Sequence, residues 1–224
     1  MGAGVFARNL DLSVPGKQLL AKATLDVSIG RRVALIGRNG SGKSTLLETI
    51  CSLAGEGTLP PHVELGGRLE LGPGTQVASL PQNPQLTFQG SVAGYLDVSV
   101  GEVSVAWNTH EQLAKELARK GDDELLRRYG EALESVQRLN AWNYPQRCIE
   151  MLGGLGLGQE ILEREIGSLS GGEATRVAIA GVLLSPANLL LLDEPTNNLD
   201  LASLRFLTQW VRCSYALSSP FPAF

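Results

Sequence analysis

Cysteine, histidine, net positive charge and long apolar runs are all scarce in this chain of 224 residues, and each scarcity removes a class of function. The three cysteines, Cys51, Cys148 and Cys213, stand apart with no C-x-x-C spacing. They are expected to be reduced, mostly buried thiols of a cytoplasmic protein rather than zinc ligands or a redox pair. One of the two histidines, His62, has no second His, Cys or carboxylate spaced to join it in the sequence, and it reads as a surface residue. The formal net charge of −4 argues against broad electrostatic attachment to nucleic acid, though a local basic patch is compatible with it. A membrane helix needs about 18 uninterrupted apolar residues. The longest candidate, 177–192, is broken by Ser185, Pro186 and Asn188. No secretory pattern opens the chain, and Phe6 stands where a myristoylation site needs Ser or Thr.

The length suits one sizeable α/β domain, and 43% hydrophobic with 19% charged residues is an ordinary globular composition. Its most informative stretch is Gly37-Arg38-Asn39-Gly40-Ser41-Gly42-Lys43-Ser44-Thr45, set between the apolar run Val33-Ala34-Leu35-Ile36 and the helix-like run Leu46-Leu47-Glu48-Thr49-Ile50. This is the P-loop pattern G-x-x-x-x-G-K-[ST] in the expected order of strand, loop and helix. Glycines let backbone N–H groups approach a polyphosphate without a Cβ in the way, and the helix starting near Lys43 adds unpaired N–H groups and its positive dipole end. Lys43 is placed to reach the β- and γ-phosphates, and the Ser44 hydroxyl to bind Mg²⁺.

Ahead of the loop, residues 6–12 and 24–29 alternate as strands around the turn Val14-Pro15-Gly16-Lys17. Behind it, the Gly/Pro-rich stretch 55–74 holds His62-Val63-Glu64-Leu65 and Arg68-Leu69-Glu70-Leu71, read as short strands before Val77-Ala78-Ser79-Leu80. From 91 to 157 the composition turns helical. A charged helix over 111–120 stops at Gly121-Asp122, and a second carries Leu126, Tyr129, Leu133, Val136 and Leu139 on one face. Leu189-Leu190-Leu191-Leu192 reads as a buried strand ending in Asp193 and Glu194, where doubly wound sheets bind ligands. Adjacent strand residues point to opposite faces, so the two carboxylates serve one site only if the strand has ended, which Pro195 favours. Ser170-Gly171-Gly172 opens a helix and makes a second anion site.

Four motifs occur in order: the P-loop, Gln82 after an apolar strand, Leu169-Ser170-Gly171-Gly172-Glu173, and the run into Asp193-Glu194-Pro195-Thr196-Asn197-Asn198-Leu199-Asp200. With them the chain resembles the ATP-binding-cassette (ABC) ATPases over residues 1 to about 207. The Asn-rich segment after Glu194, with Gly37-Arg38-Asn39-Gly40, most resembles the ABC-F branch of soluble, two-cassette proteins that act on ribosomes. The resemblance implies a single α/β domain over 1–224. It has a P-loop NTPase sheet with an antiparallel β edge, a helical subdomain over roughly 84–185 and an irregular tail over 212–224.

By the same resemblance, Gly37, Asn39, Gly40, Ser41, Gly42, Lys43, Ser44 and Thr45 hold ATP. Ser44, Gln82 and Asp193 serve its Mg²⁺, and Glu194 with Gln82 prepares the attacking water. Ser170, Gly171, Gly172 and Asp200 belong to the nucleotide site shared with a second cassette, in the same or another chain. The charged stretch 111–140 lies where several ABC-F proteins carry an arm, but is short for one. Val14 stands where many cassettes stack an aromatic residue on adenine, which leaves GTP open. A switch histidine is expected after Asp200 and none is present, so a truncated or frame-shifted cassette that binds nucleotide but hydrolyses it poorly is expected. Two further readings stay open, the motor subunit of a membrane transporter and a nucleotide-binding module without turnover.

Overall fold

The computed structural model describes residues 2–84, 86–197 and 199–213. They fall into two compact units, one of Met1–Pro84, Pro186–Asn197 and Thr208–Phe224, the other of Gln85–Ser185 and Asn198–Leu207.

The first unit contains an antiparallel sheet in the order β2-β1-β3, from β1 (Gly4–Val14), β2 (Lys17–Ser28) and β3 (Glu64–Leu71). Val5 and Ala7 point into the core, and so do Leu10 and Leu12. A strict period of two cannot bury both pairs. The phase is reset by a bulge around Asn9, whose φ is 48°, with register shifts against both neighbouring strands. Gly67 serves the bulge from β3, because a Cβ there would lie 2.0 Å from the Asn9 carbonyl oxygen. The two short strands expected around 62–71 are thus one. On the core side Leu46 and Ile50 of helix α1 (Lys43–Gly55) pack with Val63 and with Leu189 and Leu191 of β5 (Leu189–Leu192). β5 pairs in parallel with β4 (Val77–Leu80), from Val77 opposite Leu189 to Leu80 opposite Leu192.

One expectation fails here. The run 33–36 before the P-loop forms no ladder, and Val33, Leu35 and Ile36 are 49%, 37% and 94% exposed. Apolar β-formers become a strand only when a neighbouring backbone takes their N–H and C=O groups. Residues 33–35 and β5 instead line a common cavity of about 430 Å³.

The second unit is helical, with α2 (Val92–Val100), α3 (Glu102–Arg119), α4 (Asp123–Arg138), α5 (Tyr144–Gly154) and α6 (Gly171–Leu184). Helix α6 is buried at every residue from Val177 to Leu184, and Gly181 lets α2 approach, since a Cβ there would lie 2.9 Å from the Tyr95 ring. Asp97 on α2 ties neighbouring helices by accepting from the Tyr144 hydroxyl at 2.6 Å and the Asn108 amide at 3.1 Å. Asp122 caps α4 by accepting from Leu125 N–H at 2.7 Å. The buried face of α4 is Leu125, Ala132 and Val136 with Tyr129 beside them, whereas Leu126 is 57% exposed. Two adjacent leucines fit two helical stripes about 100° apart, and Leu113 of α3 selects the one that begins at Leu125. Helix α7 (Leu201–Cys213) runs past Arg212, where the irregular tail was expected to begin; the rest of that expectation, 214–224, lies outside the described residues.

Candidate functional site

Helix α1 begins at the P-loop because the preceding glycines adopt conformations other residues avoid. Gly40 has φ 74° and Gly42, the N-cap, has φ 95°. Gly42 is buried and a Cβ on it would lie 2.8 Å from the Leu19 Cβ, while a Cβ on Gly37 would lie 2.7 Å from the Ser41 hydroxyl oxygen. No side chain caps α1 and no acidic residue occupies its first turn. The Lys43 ammonium donates to the carbonyls of Gly37 at 3.0 Å and Arg38 at 3.2 Å, folding over the loop that encloses it. Asn39 and Ser44 are exposed; Thr45 is half-buried, and its carbonyl accepts from Thr49 Oγ1 at 2.6 Å.

At the far end of β5 the strand stops at Leu192. Asp193 is 7% exposed, and its N–H still donates to the Leu80 carbonyl at 3.0 Å. Glu194 turns away from strand geometry altogether, with φ 46° in the left-handed region although it precedes a proline. Two amides hold it there. Gln82 Nε2 donates to Glu194 Oε2 at 2.7 Å and Asn197 Nδ2 donates to the same oxygen at 2.9 Å, while Asn197 N–H closes the turn on the Glu194 carbonyl at 3.1 Å. Lys43, Asp193 and Glu194 all line the 430 Å³ cavity. The structure therefore gathers Lys43, Asp193, Glu194 and, through Glu194, Gln82. Asn197 was not singled out from sequence, and its place three residues after Glu194 in a Pro-containing turn is the signal that finds it.

In the helical unit Ser170 is the N-cap of α6 and forms a capping box with Glu173. The Ser170 hydroxyl accepts from Glu173 N–H at 3.3 Å, and the Glu173 carboxylate accepts from both the Ser170 N–H and hydroxyl at 2.7 Å. Arg164 donates to the other carboxylate oxygen at 2.6 Å. The Ser170 bonds and then Arg164 hold the Glu173 carboxyl down at about 2. Gly171 and Gly172 face open space where a Cβ would be. Asp200 caps α7 by accepting from Ser203 N–H at 2.8 Å, and that bond, helped by the Ser203 hydroxyl and Arg176, lowers its carboxyl.

Neither histidine belongs to these sites. His62 Nε2 lies 3.4 Å from Glu48 in a half-exposed pair, and His110 lies among Trp107, Tyr129 and Trp142 with Nε2 3.2 Å from the Tyr129 hydroxyl. The pair with Glu48 forms because the loop after helix α1 turns back along the helix. Among the described residues no three His, Cys, Asp or Glu side chains cluster to hold a metal. Mg²⁺ does not require such a cluster, being commonly held by one or two carboxylates with substrate phosphates, and the all-oxygen set of Asp193, Ser44 and Gln82 fits it.

A glycine-lined loop at a helix N-terminus, a lysine over it and paired carboxylates at a strand end define a P-loop nucleotide-binding protein. The chain belongs to the ABC transporter family, whose model matches residues 20–197. It is similar to the energy-dependent translational throttle protein EttA of Mycobacterium tuberculosis, 31% identical over 193 residues, covering 86% of this chain and 33% of the relative. The tylosin resistance ATP-binding protein TlrC of Streptomyces fradiae is 34% identical over 195 residues, covering 85% of this chain and 34% of the relative. The chain thus spans about a third of the length of these relatives. Among solved structures, the ATP-binding subunit of an ABC transporter has a TM-score of 0.62 at 23% identity, covering 95% of this chain and 75% of the other. A dimeric cassette bound to ADP and phosphate has a TM-score of 0.56 at 21% identity, covering 95% and 83%. At these identities the solved structures establish the fold. No helix among the described residues is long and apolar enough to cross a membrane.

Proposed function

We propose that this chain is one cassette of an ATP-hydrolysing pair and that its wider role lies in translation. The observation that carries the reading is a cavity lined by Lys43, Asp193 and Glu194 together, with Gln82 bonded to Glu194 at 2.7 Å. Beside the cavity, which Lys43 alone of the loop residues lines, the P-loop N–H groups of Gly40, Ser41, Gly42, Lys43, Ser44 and Thr45, with Gly37 and Asn39 shaping the loop, bind the polyphosphate. The Lys43 ammonium leaves the Gly37 and Arg38 carbonyls for phosphate oxygens. Ser44, Asp193 and Gln82 would hold Mg²⁺, which when bound with ATP neutralises the charge of the transferring phosphoryl group. Glu194 accepts the proton of the attacking water, and Gln82 and Asn197 fix the carboxylate oxygen that stays behind.

Ser170, Gly171, Gly172 and Asp200 complete the site of a second cassette, so turnover depends on pairing and this chain alone binds MgATP but hydrolyses it slowly. The test is calorimetric binding of MgATP to the parent chain and to Lys43→Ala, followed by phosphate release with and without a second cassette. Unchanged binding on losing Lys43 would overturn the reading. The translation role rests on the likeness to EttA and TlrC. Co-sedimentation with ribosomes in the presence of MgATP supports it, and association with a membrane protein instead would favour the transporter reading.

A further inference from the structure

The hairpin between β1 and β2 brings a second ammonium to the P-loop. Val14 and Lys17 are paired across Pro15-Gly16, and Gly16 has φ 76°. Proline at the first central position and a positive-φ glycine at the second are what a type II turn requires, so the start of β2 is held with little freedom. Lys17 and Leu19 lie two residues apart on β2, with Leu19 at a register shift against β1, and both reach the loop. A Cβ on Gly42 would lie 2.8 Å from the Leu19 Cβ, a Cβ on Gly40 would lie 3.5 Å from Lys17 Nζ, and Lys17 Nζ donates to the Gly40 carbonyl at 2.6 Å. Lys43 rests on the Gly37 and Arg38 carbonyls of the same loop.

We infer that Lys17 is a further polyphosphate-binding residue, which exchanges the Gly40 carbonyl for a phosphate oxygen of the bound nucleotide. The inference rests on the reading that the loop holds a nucleotide. A carbonyl is a neutral acceptor and a phosphate oxygen a charged one, so the exchange adds the attraction of an ion pair to the hydrogen bond. The exchange needs only reorientation of a flexible, exposed four-carbon stem. The type II turn holds its backbone in place while the ammonium moves. Lys17 thus adds binding energy that depends on the phosphates and not on the base, matching a hairpin in which Val14 offers no aromatic ring to adenine.

Calorimetry of the chain with MgATP and, separately, with inorganic triphosphate tests this. Lys17→Gln is expected to weaken both by roughly tenfold, the usual order for losing one bond to a charged group, and to flatten the salt dependence of Kd. Lys17→Arg should recover most of the affinity, and the thermal midpoint without ligand should not move. Three kinds of result would overturn the inference. One is Lys17→Gln with the parent's affinity and salt dependence while Lys43→Ala loses binding, which leaves the pocket reading intact. Another is a loss for MgATP but not for triphosphate, or a loss matched by a fall in unliganded stability that arginine does not restore. The third is a parent chain that binds no MgATP, which removes the pocket reading as well.

Discussion

Two helices, α1 and α6, begin with serine and glycine at places where the sequence suggests an anion, and they begin in opposite ways. The N-cap of α1 is Gly42, which offers no side chain, and the first turn holds no acid. The N-cap of α6 is Ser170, closed into a box with Glu173, whose carboxylate is gripped in turn by Arg164. A helix N-terminus favours negative charge because its first N–H groups have no partner in the helix. At α6 the protein supplies that charge itself. At α1 it supplies a cation, and no side chain of its own caps the first N–H groups. The difference predicts that phosphate affinity in a single chain resides at α1, whereas Gly171 and Gly172, with open space over them, leave room for close approach by another surface.

The comparison breaks most visibly at Lys43. Lys43→Ala should weaken MgATP binding by about 100-fold, the order expected when bonds from one ammonium to charged oxygens are lost, while Ser170→Ala should leave it within about twofold. Isothermal titration reads both, and equal losses would mean that α6 shares the binding. Glu194→Gln separates binding from chemistry. With a second cassette present, turnover should fall by about 10² to 10⁴, the usual worth of a positioned base, with MgATP affinity retained. A phosphate-release assay in which this variant kept full activity would remove Glu194 as the base. The glycines give a smaller contrast. Gly42→Ala combines a φ of 95° with a 2.8 Å approach to Leu19 and should cost about 1–3 kcal/mol in urea unfolding. Gly171→Ala enters open space and should stay within about 0.5 kcal/mol.

The P-loop, the strand ending in Asp193 and Glu194, and the start of α6 were legible because each is written in local residues. Glycines, a lysine, a serine before a helix and a proline after a strand act on their own neighbours. What sequence misread depends on partners distant along the chain. The apolar run 33–36 has strand composition but no ladder, since a strand is a property of two backbones. The periodicity puts Leu126 on the apolar face of α4, yet Leu125 is the buried leucine, because only α3 distinguishes the two stripes. The bulge at Asn9 is visible only as a change of phase in β1, and Gly67 explains it only once β3 is alongside. Within the site, Gln82 and Glu194 are 112 residues apart, and nothing local to Glu194 foretells its left-handed backbone or its bond to Gln82.

The smallest expected effect concerns the closed box on α6. Its carboxyl sits at about 2 against an ordinary 4.5, because the ionised form accepts from Ser170 and Arg164. A group lowered in the folded state stabilises the fold above its unfolded value and stops doing so as pH falls through the folded one. The contribution of Glu173 is therefore full above about pH 4.5 and is lost between there and about pH 2. Glu173→Gln keeps the shape but cannot ionise, so its thermal midpoint should lie below the parent's at pH 7, with the gap closing as pH falls to 2. Arg164 stays charged throughout, so the closing gap reports the carboxyl alone. Circular dichroism melts across that range read it. A gap that stayed constant with pH would show that Glu173 helps α6 by its hydrogen-bonding shape rather than its charge, and the electrostatic half of the contrast with α1 would fall.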